Sequence, residues 1–123
     1  MQYYCFIYLP GSGSEIPSPE VLADGVNAML DNDEALRQSG HYIDSDALKQ
    51  PASATSVRVR NGRMSVTDGP FAETKEFLSG FIKIEARDLN EAIRIAAAIP
   101  LARVGTIEVR PVEHLTRTKN RTS

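Results

Sequence analysis

The sequence predicts a single α+β domain with the element order β-α-β-β-β-α-β. Three observations carry this prediction. Two segments have apolar residues at helical spacing behind a capping residue, Asn61-Gly62 separates two alternating runs, and aromatic or β-branched runs lie near both ends of the chain. The 123 residues suffice for one ordinary domain, which we assign to residues 1–114, followed by a polar, frayed C-terminal tail over 115–123.

The composition excludes several classes of protein. Lys and Arg number 14 against 16 Asp and Glu, and this net charge of −2 argues against a nucleic-acid-binding protein. The one cysteine, Cys5, excludes an intrachain disulfide framework and a multi-cysteine zinc site. The N-terminus lacks the features of a signal peptide, and no stretch approaches the ~20 apolar residues of a membrane helix. We therefore expect a cytoplasmic protein with no membrane and no nucleic-acid partner.

The first third of the chain is predicted to form a strand, a loop and a helix. Residues 2–9 alternate, with Tyr4, Phe6 and Tyr8 on one side and Tyr3, Cys5, Ile7 and Leu9 on the other. After a loop over 10–18, Ser18-Pro19-Glu20 supplies the cap, the proline and the first-turn carboxylate of a helix start. The helix is expected to end at Gly40 and to bury a stripe formed by Leu22, Val26, Met29 and Leu36.

The middle of the chain predicts a hairpin with a definite register. Residues 41–53 are polar and are predicted to form a loop. Asn61-Gly62 then favours a two-residue turn, because both residues tolerate positive φ. This turn pairs Arg60 with Arg63, Val59 with Met64, Arg58 with Ser65 and Val57 with Val66. The apolar pairs therefore share one face and the polar pairs the other.

The last third predicts a strand, a helix and a strand. Residues 78–86 alternate, with Ile82 and Ile84 on one face. Asp88 is the expected helix cap and Pro100 the expected stop, and the predicted stripe consists of Leu89, Ala92, Ile93, Ala96 and Ala97. Residues 105–112 form the final strand, with Ile107 and Val109 facing inward. This order predicts a ferredoxin-like unit with one extra hairpin strand.

Two helices can cover only one face of such a sheet. The other face is predicted to carry Arg58, Ser65, Thr67, Lys83, Glu85, Glu108 and Arg110, together with Tyr4, Phe6, Tyr8 and Phe81. An antiparallel sheet can leave a polar face in water. Because four aromatic residues accompany the charges, we favour a second subunit that covers this face and encloses a polar cavity.

One run of the chain has a distinctive composition: Val66-Thr67-Asp68-Gly69-Pro70-Phe71-Ala72-Glu73-Thr74-Lys75-Glu76. It resembles the signature of the DGPF branch of the YCII-related family, and the match extends through residues 55–58, 80–81, 85–89, 91–92 and 105–112. The resemblance implies a dimeric α/β-barrel in which two ferredoxin-like sheets pack face to face. It implies no assigned biochemical activity, and it suggests a setting beside extracytoplasmic-function sigma factors, since many DGPF proteins are encoded next to them.

Histidine chemistry is not expected. The YciI-like branch of that family has a histidine early in the first helix and an aspartate before a proline near the end of the second. Here the first helix has no histidine, and the matching dipeptide is Ile99-Pro100. His41 with Asp44 and Asp46 offers metal-ligand types, but a polar loop is the favoured interpretation. The sequence implies no metal and no cofactor.

The connector supplies candidate site residues that also have structural explanations. Asp68 could act as a base or hydrogen-bond acceptor at the cavity mouth, or it could merely favour a turn. Phe71 could bind a ligand, or it could anchor the loop in the core, in which case Phe71→Ala would cost about 3–5 kcal/mol. Lys75 could be the cation of a loop over the pocket, or it could belong to a solvated turn. Arg58 and Arg110 could bind a carboxylate or phosphate, or could pair with neighbouring glutamates.

Two functional hypotheses follow. In the first, a homodimer binds a small polar or anionic molecule in its cavity, where Arg58 and Arg110 orient the ligand and Asp68 accepts a proton if there is turnover. In the second, the chain is a regulatory interaction protein that associates with an extracytoplasmic-function sigma factor and does not catalyse a reaction. The sequence does not decide whether the protein is an enzyme. An occupied cavity would favour the first hypothesis, and an apolar patch on the helix face would favour the second.

Overall fold

The computed structural model describes residues 1–11 and 18–118. In chain order, its strands and helices are β1 (Gln2–Pro10), α1 (Pro19–Gln38), β2 (Tyr42–Ala47), β3 (Thr55–Arg60), β4 (Arg63–Asp68), β5 (Glu76–Glu85), α2 (Leu89–Ala98) and β6 (Thr106–Pro111). Short 3-10 helices occupy Pro51–Ser53 and Pro100–Arg103. Most of the predicted loop over 10–18 and the end of the predicted tail lie outside the described residues. The predicted mixture of two helices with antiparallel strands is confirmed.

Four strands form one antiparallel sheet in the order β2-β5-β1-β6, and both helices pack on one side of it. The core lies between these layers, as the alternation of β1 and β5 predicts, and its fully buried centre is formed by Cys5, Ile82, Ile84, Ala92 and Ile99. Without the hairpin, the order β-α-β-β-α-β is compatible with a ferredoxin-like fold. Among the described residues, neither helix combines the length and apolar character needed to cross a membrane.

The prediction of a loop over residues 41–53 is wrong in its first half. β2 pairs with β5 from Tyr42 opposite Ile84 to Ala47 opposite Gly80, and thereby becomes an edge strand of the sheet. The strand has no run of buried apolar side chains. Ser45 faces the helices, where its hydroxyl donates to Asp33 Oδ2 at 2.9 Å. The apolar periodicity that predicts strands is therefore missing from this segment, and the strand depends on the neighbouring β5 for its pairing.

The hairpin has the predicted register but not the predicted place. β3 and β4 pair Val57 with Val66 and Val59 with Met64, around a turn in which Asn61 has φ 53° and Gly62 φ 74°. They form a two-stranded sheet of their own, so they do not extend the four-stranded sheet of the same chain. Turn geometry is a local property that sets register, whereas docking of the hairpin requires a tertiary partner.

Both helices begin at the predicted caps. Ser18 Oγ accepts the backbone N–H of Val21 at 3.3 Å, and Asp88 Oδ1 accepts that of Glu91 at 2.9 Å. α1 ends before Gly40, which has φ 81°.

The predicted apolar stripes are only partly buried. In α1, Leu36 packs in the core while Leu22 and Val26 are exposed. In α2, the residues toward the core are Ala92, Ile95 and Ala96, whereas Leu89, Ile93 and Ala97 are exposed. Helical spacing identifies an apolar face, but the extent of the sheet beneath the helix decides how much of that face is covered.

Candidate functional site

The sheet face opposite the helices has an aromatic centre. The rings of Tyr4 and Phe6 stack with their centroids 5.3 Å apart and their planes 5° from parallel. Phe81 meets Tyr4 edge to face at 5.5 Å and lies directly opposite Phe6 in the strand register. These side chains alternate with the buried residues of β1 and β5, which is why they all emerge on the uncovered side. We call Tyr4, Phe6 and Phe81 the aromatic floor.

Two cations extend over the aromatic floor from opposite sides. Lys83 on β5 and Arg110 on β6 both lie opposite Tyr4 in the register of the sheet. The Lys83 Nζ atom lies 5.3 Å from the centroid of Tyr4, and the Arg110 Cζ atom lies 5.9 Å from the centroid of Phe6. Both distances are within the range of cation–π attraction. The faces of Tyr4 and Phe6 therefore attract Lys83 and Arg110 to positions above the centre of the sheet.

Acidic residues surround the cations on the same face. Glu108 Oε1 lies 3.5 Å from the Arg110 guanidinium and accepts a hydrogen bond from the Tyr8 hydroxyl at 3.4 Å. On β2, Asp44 is opposite Lys83 and Asp46 is opposite Phe81. These two carboxylates were not predicted as members of the site, because their segment has the polar composition of a loop. Their alternation across Ser45 is the only signal that could have revealed them.

The predicted site residues do not all come together within one chain. Arg110 lies over the aromatic floor, as predicted. Arg58 belongs to the separate hairpin, so the expectation that it shares a sheet face with Arg110 is wrong for a single chain. Asp68, the last residue of β4, and Lys75 have exposed side chains on the connector. The Phe71 side chain is 79% exposed, so the interpretation of Phe71 as a core anchor is also wrong for the isolated chain.

The start of the connector is fixed by its backbone. Gly69, with φ 94°, donates its N–H to the Ala54 carbonyl at 2.7 Å and accepts the Ser56 hydroxyl at 2.8 Å. These bonds close the base of the hairpin. The glycine is needed because a φ near 90° is unfavourable for residues with a Cβ. The Asp68-Gly69 pair therefore has a structural role in ending the hairpin, whatever else Asp68 does.

A second polar cluster joins the end of α1 to the start of α2. Ser39 Oγ lies 2.7 Å from His41 Nδ1, and His41 Nε2 lies 3.2 Å from Glu91 Oε1. The Arg87 guanidinium also contacts Glu91, at 3.1 Å. The backbone N–H of Arg87 is the largest cause that lowers the pKa of Glu91, and the charges of Arg87 and His41 act in the same direction. The sequence analysis missed this cluster, since its members are up to 52 positions apart.

The arrangement of this cluster resembles a serine nucleophile with its base, but its surroundings do not suit acyl transfer. The Ser39 hydroxyl also donates to the Leu36 carbonyl at 3.1 Å, which competes with donation to His41. The backbone N–H groups of Ser39, Gly40 and His41 all bond carbonyls of α1. None of these three donors can therefore stabilise an oxyanion. We interpret the cluster as a structural contact that joins the end of α1 to the start of α2.

Metal binding and thiol chemistry have little support in the parts of the chain that the structure describes. His41 bonds Glu91 and does not join Asp44 and Asp46, and no group of three or more His, Cys, Asp or Glu side chains is placed to hold a metal within residues 1–11 and 18–118. Cys5 is fully buried, and this burial raises the pKa of its thiol to about 11. The thiol is therefore protonated at neutral pH, as expected for an inert buried cysteine.

Two comparisons with known proteins bear on the identity of the chain. Over 62 residues it is 44% identical to an uncharacterized protein of Rhizobium meliloti (strain 1021). This alignment covers 49% of the present chain and 50% of the relative, so the chain matches about half the length of that protein. The family model of the YCII-related domain matches residues 1–116, nearly the whole chain. The chain therefore belongs to the family of proteins with a YCII-related domain.

Proposed function

We propose that this chain forms a homodimer through its open sheet face and binds a small polar or anionic molecule there. The observation that carries the proposal is the placement of Lys83 and Arg110 on either side of Tyr4, above a floor of aromatic rings. A sheet face that only meets water does not require a cluster of aromatic rings at its centre. Stacked rings beside two cations instead suit a ligand with a negative group and a flat apolar part.

The charges on the open sheet face leave Arg110 able to bind an anion beside Glu108. Among the described residues, Arg110 has one ion-pair partner, the partly exposed Glu108 at 3.5 Å, and a guanidinium has further donors that can bind a carboxylate or phosphate. A second subunit over the face would exclude water and strengthen these contacts. The dimeric barrel that the family resemblance implies has this geometry, and the segment Asp68-Gly69-Pro70-Phe71 at the base of the hairpin supports membership of the DGPF branch.

The remaining candidate residues belong to this proposal through the second subunit. Arg58, Phe71 and Lys75 would bind the ligand, and Asp68 would accept a proton if the molecule is turned over. All four are exposed and lie outside the four-stranded sheet of their own chain. A partner protomer is thus needed to bring them near Arg110. The single buried cysteine fits a reducing compartment, so the proposal places the protein in the cytoplasm.

Light scattering and ligand titration test this function. Light scattering at micromolar concentration should give about twice the mass of one chain, 13.5 kDa. Titration with benzoate and with inorganic phosphate should raise the melting temperature of the native protein. Arg110→Ala should abolish this rise, whereas Arg94→Ala, an exposed arginine on α2, should leave it unchanged. A monomer at all concentrations would exclude the shared cavity, and an equal response from both variants would exclude Arg110 as a ligand residue.

The regulatory alternative is favoured by a different observation. Both helices expose apolar side chains, including Val21 on α1 and Leu89 and Ile93 on α2. Such a surface suits a protein partner, and an extracytoplasmic-function sigma factor is the partner that the DGPF resemblance suggests. Co-elution with a purified sigma factor of this class, lost in the Ile93→Asp variant, would support it. Failure to co-elute at micromolar concentrations would exclude it.

A further inference from the structure

The first half of α1 has an apolar surface beneath which the described residues place no strand. The 20 residues of α1 span about 30 Å, whereas the six residues of β2 span about 20 Å. β2 stops at Ala47 opposite Gly80, so β5 continues without a hydrogen-bonded neighbour strand on that side over most of its first four residues. The second half of α1 packs on β2, where the Ser45 hydroxyl donates to Asp33. The first half extends over the gap.

The uncovered part of α1 continues its buried side. Leu22, Val26, Met29 and Asp33 follow one another at i, i+4, i+7 and i+11, and therefore lie along one line of the helix. Asp33 is 8% exposed and Met29 packs against the core, but Leu22, Val26 and the adjacent Leu30 are 50–58% exposed. We call Leu22, Val26 and Leu30 the open stripe. Because it continues the line of Met29 and Asp33, the open stripe faces the position beside β5 that lies beyond the end of β2.

The hairpin has a complementary surface of the right kind. Val57, Val59, Met64 and Val66 share one face of β3–β4, and their side chains are 55–71% exposed. A β-branched face of this type is normally packed against a helix or a second sheet. Within residues 1–11 and 18–118, these side chains of the hairpin and those of the open stripe remain exposed. Two unpaired apolar surfaces of similar length therefore exist in every copy of the molecule.

The two elements that carry these surfaces have opposite net charges. The hairpin carries Arg58, Arg60 and Arg63 against Asp68, a net charge of +2, and α1 carries five carboxylates against Arg37, a net charge of −4. Whole chains each carry −2 and would repel one another if their charge were evenly spread. The three arginines lie on the polar face of the hairpin, so this segregation attracts the hairpin of one copy to α1 of another at long range and does not pair charges inside the apolar contact.

We propose that the β3–β4 hairpin of each protomer packs its apolar face under the open stripe of α1 in a second copy of this chain, beside β5. A two-fold exchange of this kind forms two identical contacts and covers both bare surfaces of each copy. The Arg58 side chain, on the other face of the hairpin, then points to the same side of the sheet as Lys83 and Arg110. The anion site is thus completed by the partner. This inference rests on the proposed homodimer and adds a second contact to the one between its open sheet faces.

Variants that each carry one added cysteine test the exchange, because the native Cys5 is buried and does not compete. Val59→Cys on the hairpin is mixed with Val26→Cys on α1, one of the two carrying a larger tag, and mixed disulfides are followed on non-reducing gels. Ser65→Cys, which alternates onto the polar face of the hairpin, replaces Val59→Cys in the control. A second pair, Met64→Cys with Leu22→Cys, makes the result independent of the detailed register.

The docked pairs should cross-link much faster than the controls. At about 10 µM protein, an effective concentration in the millimolar range gives a rate advantage on the order of 100-fold over the control pair. High salt should slow the cross-linking of Val59→Cys with Val26→Cys, because it screens the opposite net charges that bring the hairpin to α1 before the apolar faces pack.

Three outcomes would overturn the exchange. A disulfide formed within one chain of the Val59→Cys/Val26→Cys double variant, without mixed dimers, would mean that the hairpin covers its own helix. A dimer by light scattering in which neither pair exceeds the Ser65→Cys control would refute the exchange but leave the homodimer and its anion site standing. Protection of Val59→Cys by a sigma factor, and not by a second copy, would assign the hairpin to that partner.

Discussion

Gly105 is the position at which we expect the smallest substitution to have the largest effect. A Cβ atom at this residue would lie 2.0 Å from the carbonyl oxygen of Tyr8 and 3.0 Å from Leu9 Cδ2. Gly105 immediately precedes β6, whose first residue, Thr106, pairs with Tyr8. Its own N–H donates to the Leu101 carbonyl at 2.9 Å, which ties the segment to the preceding turn. An added methyl group would therefore collide with backbone that is held from both sides.

The cost of Gly105→Ala can be worked out from this contact. Overpacking a rigid site costs about 1–3 kcal/mol. Relief requires β6 to move from β1 by more than an ångström at this end, with the loss of one or two hydrogen bonds at about 0.5–1.5 kcal/mol each. We expect a loss of about 2–4 kcal/mol in the free energy of unfolding. For a domain of this size, that lowers Tm by about 6–20 °C.

Urea denaturation followed by far-UV circular dichroism measures this loss, with Gly25→Ala as the matched control. A Cβ at Gly25 would have no atom within 4 Å, and the residue is exposed on α1. Because alanine is the better helix former, Gly25→Ala should stabilise the protein by about 0.5–1 kcal/mol. The same chemical change thus has opposite signs at the two positions. A Gly105→Ala protein within about 0.5 kcal/mol of wild type would refute the close approach of β6 to Tyr8.

Four further expectations concern individual side chains. Phe71→Ala should change the free energy of unfolding of the monomer by less than about 0.5 kcal/mol in urea titrations, because the ring is exposed; a loss near 3 kcal/mol would restore the anchor interpretation. Ser45→Ala removes a hydrogen-bond donor from Asp33, whose other oxygen is already buried without a partner, and should cost about 1–3 kcal/mol in the same assay; an unchanged midpoint would contradict this. The lowered pKa of Glu91 contributes stability above its unfolded value near 4.5, and this contribution is lost as pH falls through the folded value. The difference in free energy of unfolding between wild type and Glu91→Gln should therefore be present near pH 7 and vanish in acid. A difference that stays constant with pH would argue against this contribution. Cys5 should react with a thiol reagent at pH 8 only after unfolding, and rapid labelling of the native protein would disprove its burial.

Local features of this protein follow from the sequence alone. Strand faces, helix starts and the register of the hairpin depend on neighbouring residues and on backbone preferences. Ser18 and Asp88 cap their helices as predicted, and Asn61-Gly62 forms the expected turn with both residues at positive φ. The aromatic side of β1 could be predicted for the same reason, since alternation assigns Tyr4 and Phe6 to one face.

The tertiary structure decided which local surfaces find a partner. β2 forms because β5 supplies its hydrogen bonds, although its own residues carry no apolar pattern. The stripe of α1 is buried only where β2 lies beneath it, and so Leu36 is covered and Leu22 is not. Ser39, His41 and Glu91 meet only because the end of α1 and the start of α2 converge at the same edge of the core. Periodicity encodes the direction in which a side chain points, but burial depends on the length and position of elements that are distant in sequence.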